Sequence, residues 1–143
     1  MRMTTKQLTS LILVCVLLLT AGACAFTKHK ENAEKAVAKF HQQLNAEQYH
    51  EIHVQSDKLF QESATEADMV ALFGAVHAKL GTVKNATPQG WHVNATPTGT
   101  FVTLAYDIDF SEGKGTEQFV FKMNGNEALL FNYNVNSPLL ITK

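Results

Sequence analysis

The side chains of this 143-residue chain that could do chemistry are few and scattered. His50-Glu51-Ile52-His53 sets two imidazoles one helical turn apart, and His41 could join them from the preceding helix. A zinc hydrolase needs H-E-x-x-H, with histidines at i and i+4 and a glutamate base between them. The spacing here is i and i+3, so the pair reads as surface histidines and no metal site is expected. Asp107 and Asp109 share one face of an alternating segment. Paired carboxylates do acid–base work when their environments split their pKa values, but this pair falls on the polar face, away from the expected core. His77 lies on or beside the Phe73–Leu80 apolar stripe and reads as a core histidine. Trp91, Tyr106 and Tyr133 are the only polar-tipped residues expected to face the core from the strands, and with His77 they form the candidate pocket. No catalytic residue and no cofactor follow from these patterns.

Location is more legible than reaction. Arg2 and Lys6 give a basic start, Leu11 to Leu19 is an unbroken apolar run, and Thr20-Ala21-Gly22-Ala23 supplies small residues. That is the layout of a secretory signal peptide over residues 1–23, and the run is short for a membrane span, which takes about 20 apolar residues. Ala21-Gly22-Ala23 suits ordinary signal peptidase. Followed by Cys24, it also resembles a bacterial lipobox, departing from that pattern in having Ala21 where leucine is preferred. Cys15 leaves with the signal, so Cys24 would be the sole cysteine of the mature chain, and acylation gives it a use. The expectation is a lipid-anchored protein of the cell envelope, on the periplasmic or outer-membrane side, with a soluble secreted or periplasmic protein as the alternative.

From Cys24 onward all the basic residues are lysines, ten of them against thirteen acidic residues, because Arg2 is the only arginine. Arginine is the side chain that grips phosphate in a bidentate fork. Its absence and the mild acidic excess argue against nucleic-acid binding. With no cysteine pair, stability must come from a hydrophobic core.

Residues 24–30 read as a tether and residues 31–143 as a single domain. Ala33, Ala36, Val37, Phe40 and Leu44 form one helical stripe from Glu31 to Asn45. A shorter helix is expected over residues 47–55, with Tyr49 and Ile52 inward, then a less regular stretch anchored by Leu59 and Phe60. Thr65-Glu66-Ala67-Asp68 is a capping signal opening a helix that Gly81 stops. Beyond it the period becomes two. A first strand lies between Thr82 and Asn94, with Trp91 and Val93 inward and a bend at Pro88 and Gly90. A second, Thr100 to Phe110, puts Val102, Leu104, Tyr106, Ile108 and Phe110 on one face. A third has Phe119, Phe121 and Met123 inward, and Asn124-Gly125 signals a tight hairpin. The fourth has Leu129, Phe131, Tyr133 and Val135 inward and Asn132, Asn134 and Asn136 outward. Asn85-Ala86-Thr87-Pro88 and Asn94-Ala95-Thr96-Pro97 read as two turns of similar composition. Helices followed by a meander imply an α+β fold, with the helices on one face of a curved four-stranded antiparallel sheet.

That order, with Leu80-Gly81, Gly90-Trp91, Gly99-Thr100-Phe101-Val102, Gly115-Thr116-Glu117 and the closing Asn132-Tyr133-Asn134-Val135-Asn136-Ser137, resembles the nuclear transport factor 2-like superfamily. Within it the chain is similar to small exported bacterial proteins. The resemblance covers about residues 31–143 and implies a cone of helices and sheet. Enzymes of the superfamily place Tyr, Asp, His or Arg in that cone, and related folds often dimerise through the sheet. Here no carboxylate or histidine on a strand is expected to point inward, so a general base would have to come from His41, His53 or His77 on a helix. The leading expectation is a non-enzymatic domain, anchored in a membrane through its N-terminal lipid, that binds a protein partner, a second copy or a small apolar ligand. An enzyme using a helix histidine with Tyr106 or Tyr133 is the alternative. So is an envelope assembly or maintenance component working through the Asn132, Asn134, Asn136 face.

Overall fold

A computed structural model describes the backbone of residues 5–142 and the side chains of residues 25–142. The elements are α1 (Thr5–Asn45), α2 (Tyr49–Val54), α3 (Lys58–Ser63), α4 (Glu66–Leu80), β1 (Val83–Thr96), β2 (Gly99–Phe110), β3 (Lys114–Asn124), β4 (Glu127–Asn136) and α5 (Leu139–Thr142). The strands form one antiparallel meander in the order β1-β2-β3-β4. The helices pack on one face of this curved sheet, with α1 touching all four strands. The fold is α+β, as the change of period from helical to alternating requires.

The helix ends follow from local chemistry. Thr65 caps α4 by accepting from the Asp68 backbone N–H, and its hydroxyl donates to the Asp68 carboxylate at 2.6 Å. The aspartate therefore answers the threonine side chain rather than a backbone N–H. Gly81 ends α4 with φ 75°, and a Cβ there would lie 1.9 Å from the Ser111 hydroxyl, so conformation and space both demand glycine. Asn45 ties the end of α1 to the start of β1. Its amide oxygen accepts from Val83 N–H at 2.8 Å and its amide nitrogen donates to Val83 C=O at 3.0 Å.

Several expectations shift. α1 already includes residues 24–30, the stretch assigned to a tether. In α3, Leu59 is exposed while Phe60 is buried. Asn85–Pro88 lies inside β1, and only the second of the two similar segments leads into a turn. The bend at Pro88 and Gly90 is a bulge at Gln89 in the edge strand, where a missing N–H is tolerated.

The most consequential correction is in β4. The β3–β4 loop is Gly125-Asn126, between the paired Asn124 and Glu127, and only Gly125 of the two has positive φ. That is the two-residue connection with glycine in its first position. It sets Phe121 opposite Leu130, so Leu130 is buried and Leu129 faces the other way. A bulge then leaves Phe131 unpaired and the ladder resumes with Val120 opposite Asn132. Phe131 accordingly packs on the outer-face ring of Phe101, 5.0 Å between centroids. Leu129 and Phe131 are therefore not inward, whereas Tyr133 and Val135 are.

Candidate functional site

The interior between helices and sheet is filled. Phe40 of α1 meets Phe73 of α4 at 5.7 Å, Phe119 of β3 at 5.1 Å and Tyr133 of β4 at 4.8 Å between ring centroids. Phe119 stacks on Phe121 at 5.9 Å, and Leu104, Ile108 and Leu80 close the remaining space.

Into this packing the fold sets one polar cluster. His41 Nε2 and Glu117 Oε2 lie 2.6 Å apart, and the Tyr133 hydroxyl donates to Glu117 Oε1 at 2.7 Å. The Glu117 side chain has no exposure at all. Each member arrives by its element's period. His41 follows Phe40 on the buried side of α1. Glu117 shares the parity of Phe119 and Phe121 on β3. Tyr133 pairs with Phe119, one step diagonal to Glu117. Burial pushes the Tyr133 hydroxyl well above its ordinary pKa of 10.0, and the adjacent Glu117 carboxylate adds to the effect by charge and by its hydrogen bond. The expectation that no strand carboxylate faces the interior is thus overturned by Glu117. The signal for it was the alternation itself: a residue two before Phe119 must share its face.

The four residues assigned to a pocket are not assembled into one. Tyr106 and Tyr133 flank Phe119 at 6.2 and 5.2 Å. The Tyr106 hydroxyl is pushed up to about 12 by burial and by Glu34 of α1. Trp91 lies on the helix side of the sheet, paired with Leu104, but at the β1 edge it stays 54% exposed, with Lys30 over its ring at 5.8 Å. His77 sits elsewhere, with Tyr49 at 6.4 Å between rings and Glu47 Oε1 at 4.0 Å from its Nδ1.

His50 and His53 diverge. His50 is exposed and bonds Glu66 Oε1 at 2.5 Å, which raises its pKa above 6.5. His53 is buried, and neither ring nitrogen has a partner. Among the described residues no three His, Cys, Asp or Glu side chains converge as metal ligands. Cys24 lies outside the residues whose side chains are described. Among the described residues no helix is long and apolar enough to cross a membrane.

The outer face of the sheet is uncovered. Asn132, Asn134 and Asn136 are exposed there, beside Thr116 and Gln118. Two shallow depressions mark it, one of about 490 Å³ over Asp107, Asp109, Thr116 and Asn136, and one of about 360 Å³ over Gln89, Asp107, Gln118 and Asn134. Asp109 is paired with Lys114 at 3.2 Å. No model of a known protein family matches the chain, and no curated protein matches it in sequence.

Proposed function

We propose that this is an exported, lipid-anchored interaction domain without catalytic activity, whose working surface is the outer face of the sheet. The observation that carries the reading is the contrast between the two faces. The inner face is closed by Phe40, Phe73, Phe119 and Phe121, leaving no room for a substrate beside Glu117. The outer face carries the amides and hydroxyls of Thr116, Gln118, Asn132, Asn134 and Asn136 beside the carboxylates of Asp107 and Asp109, and no helix covers it. Strands about 4.8 Å apart and about ten residues long at 3.3 Å each give a face of about 19 by 33 Å. That is about 630 Å², some four-fifths of the roughly 800 Å² per partner of a stable protein interface. Its first occupant is a second copy of the chain.

Sedimentation velocity tests the face. Self-association that Gln118→Lys and Asn134→Lys abolish, while Thr65→Ser on the opposite side does not, is the expected result. A monomer at every concentration, or a dimer indifferent to both lysines, refutes it. Intact mass of the N-terminus tests the anchor: the chain should begin at Cys24 bearing acyl groups, and Cys24→Ser should move it out of the membrane fraction.

The contact of His41, Glu117 and Tyr133 favours a second reading, an enzyme in which Glu117 rather than a histidine alone is the base. It requires the aromatic plug around Phe40 and Phe119 to open. Uniform protection of the Phe119 and Tyr133 amides from hydrogen exchange up to global unfolding would exclude it.

A further inference from the structure

A second concavity, of about 440 Å³, lies at the mouth of the cone, away from the outer sheet face. α1 forms one wall in two tiers. Ala36 and Phe40, one turn apart, form the inner tier, while Lys35, Lys39 and Gln43, at i, i+4 and i+8, form the rim. Ile52, Phe121 and Leu130 complete an apolar floor. Val54, 45% exposed, forms a lip opposite the lysines, and a Gln43–Gln55 hydrogen bond of 3.2 Å ties α1 to the end of α2. This volume lies within the usual range of small-molecule sites, about 300–1,000 Å³.

The rim carries the argument about what enters. Lys35 and Lys39 are neighbours on one helix face, where like charges disfavour the helix by a few tenths of a kcal/mol. Neither ammonium is in an ion pair, although Lys30 and Lys58 each have a glutamate one turn along. Two unneutralised cations beside an apolar trough form a surface that one carboxylate joined to one alkyl chain would complement. The trough holds the chain and the lysines hold the head. Val54 would lose its remaining water contact. Glu127, on the hairpin side of the trough, disfavours an anionic head there and sets the ligand's direction.

We infer that this trough is a binding site for a single-chain anionic amphiphile of the fatty-carboxylate class, with its head at Lys35 and Lys39 and its tail over Phe40, Ile52 and Leu130. The site uses neither the outer sheet face nor the polar cluster, so it stands or falls separately from the interaction reading.

The test titrates the purified full chain, free of detergent, with dodecanoate below its micelle concentration, followed by calorimetry and by NMR shifts of the Ile52 and Val54 methyls. Parallel titrations use dodecanol, dodecyltrimethylammonium, acetate, and vesicles of neutral and of anionic lipid. Dodecanoate should bind once per chain and about tenfold more tightly than dodecanol, a difference of about 1.4 kcal/mol. Acetate should not bind. Lys35→Gln with Lys39→Gln should remove the preference for the anion, and Val54→Asp should weaken both long-chain ligands. All three positions are exposed, so the variants should keep the wild-type melting temperature. Equal binding of the cationic amphiphile, shifts confined to residues outside the trough, or indifference to the lysine and Val54 changes would overturn the assignment. Binding to anionic vesicles with none to dodecanoate monomers would also overturn it, by making the lysines a membrane contact.

Discussion

Replacing the buried polar cluster piece by piece should give costs that do not add. The Tyr133 hydroxyl donates to Glu117 at 2.7 Å in a site closed to water. Tyr133→Phe removes one hydrogen bond to a charged group, worth about 1.5–3 kcal/mol. His41→Leu is harsher. It takes the partner from Glu117 Oε2, and a carboxylate with no exposure cannot recruit water in its place, so the loss should be about 3–5 kcal/mol. For a domain of ordinary stability, about 5–15 kcal/mol, that is a large share. The triple variant His41→Leu, Glu117→Leu, Tyr133→Phe leaves nothing polar to satisfy, and its side chains are close in volume to those removed. It should lie within about 2 kcal/mol of the wild type, and above His41→Leu alone. Urea unfolding followed by far-ultraviolet circular dichroism measures each value, with an unchanged m-value licensing the comparison. A cost for His41→Leu of less than about 1 kcal/mol, or a triple variant no more stable than His41→Leu, would show that the buried Glu117 does not depend on its partners.

Three other predictions rest on separate parts of the molecule. Leu130→Ala should cost about 2–5 kcal/mol, as a buried large-to-small change, while Leu129→Ala costs under about 1 kcal/mol; equal costs in urea unfolding would mean the strand phase is wrong. His53→Leu should raise the unfolding free energy or leave it unchanged, because it removes two buried ring nitrogens that have no partner; a loss above about 1 kcal/mol would show that the imidazole is satisfied. Burial holds all three tyrosines above 10.0, with Tyr106 pushed up to about 12 and Tyr133 well above its ordinary value. Above pH 10 the unfolded chain therefore releases protons that the folded chain keeps, so stability is full below pH 10 and falls as pH rises beyond it. The phenolate absorbance of Tyr133 should appear only together with loss of the circular dichroism signal.

The helices and the meander could be read from the sequence because each is written in a repeated period that tertiary contacts reinforce. The stripe Ala33, Val37, Phe40, Leu44 and the alternation from Val102 to Phe110 are buried as their spacing demands. The capping of α4 by Thr65 and its stop at Gly81 are local signals that needed no partner. What stayed hidden came from contacts between elements. Glu117 lies on the inward parity of its strand, but a carboxylate is placed inward only when its partners are known. Those partners come from α1 and β4, 76 and 16 residues away in sequence. Trp91 has the right parity for the interior yet stays exposed, because β1 is an edge strand and edge positions are covered only if a helix reaches them. The exposed trough beside Lys35 and Lys39 likewise depends on where α2 ends relative to α1.

The bulge at Phe131 reconciles two demands that the sequence of β4 makes at once. The Gly125-Asn126 loop fixes the phase that buries Leu130 opposite Phe121. Continued without interruption, that phase would turn Asn132, Asn134 and Asn136 into the core and Tyr133 out to solvent, because one residue of slip reverses every side chain. An extra residue between the two halves restores Tyr133 to the inner face within reach of Glu117 and leaves the asparagines outside. Deleting Phe131 should therefore be tolerated. The ladder would run from Phe121–Leu130 directly to Val120–Asn132, and the main loss would be the ring contact with Phe101, about 0.5–1.5 kcal/mol beyond its buried area. Deleting Gln118 removes a residue of the same strand pair but turns Glu117 out of the core, so it should cost several kcal/mol, as breaking a buried charged contact does. In the first variant Tyr133 should still ionise only on unfolding, and in the second it should ionise earlier. If the Phe131 deletion unfolds the domain, or frees Tyr133 to ionise in the folded protein, the bulge does more than set the phase of β4 and this account of the strand is wrong.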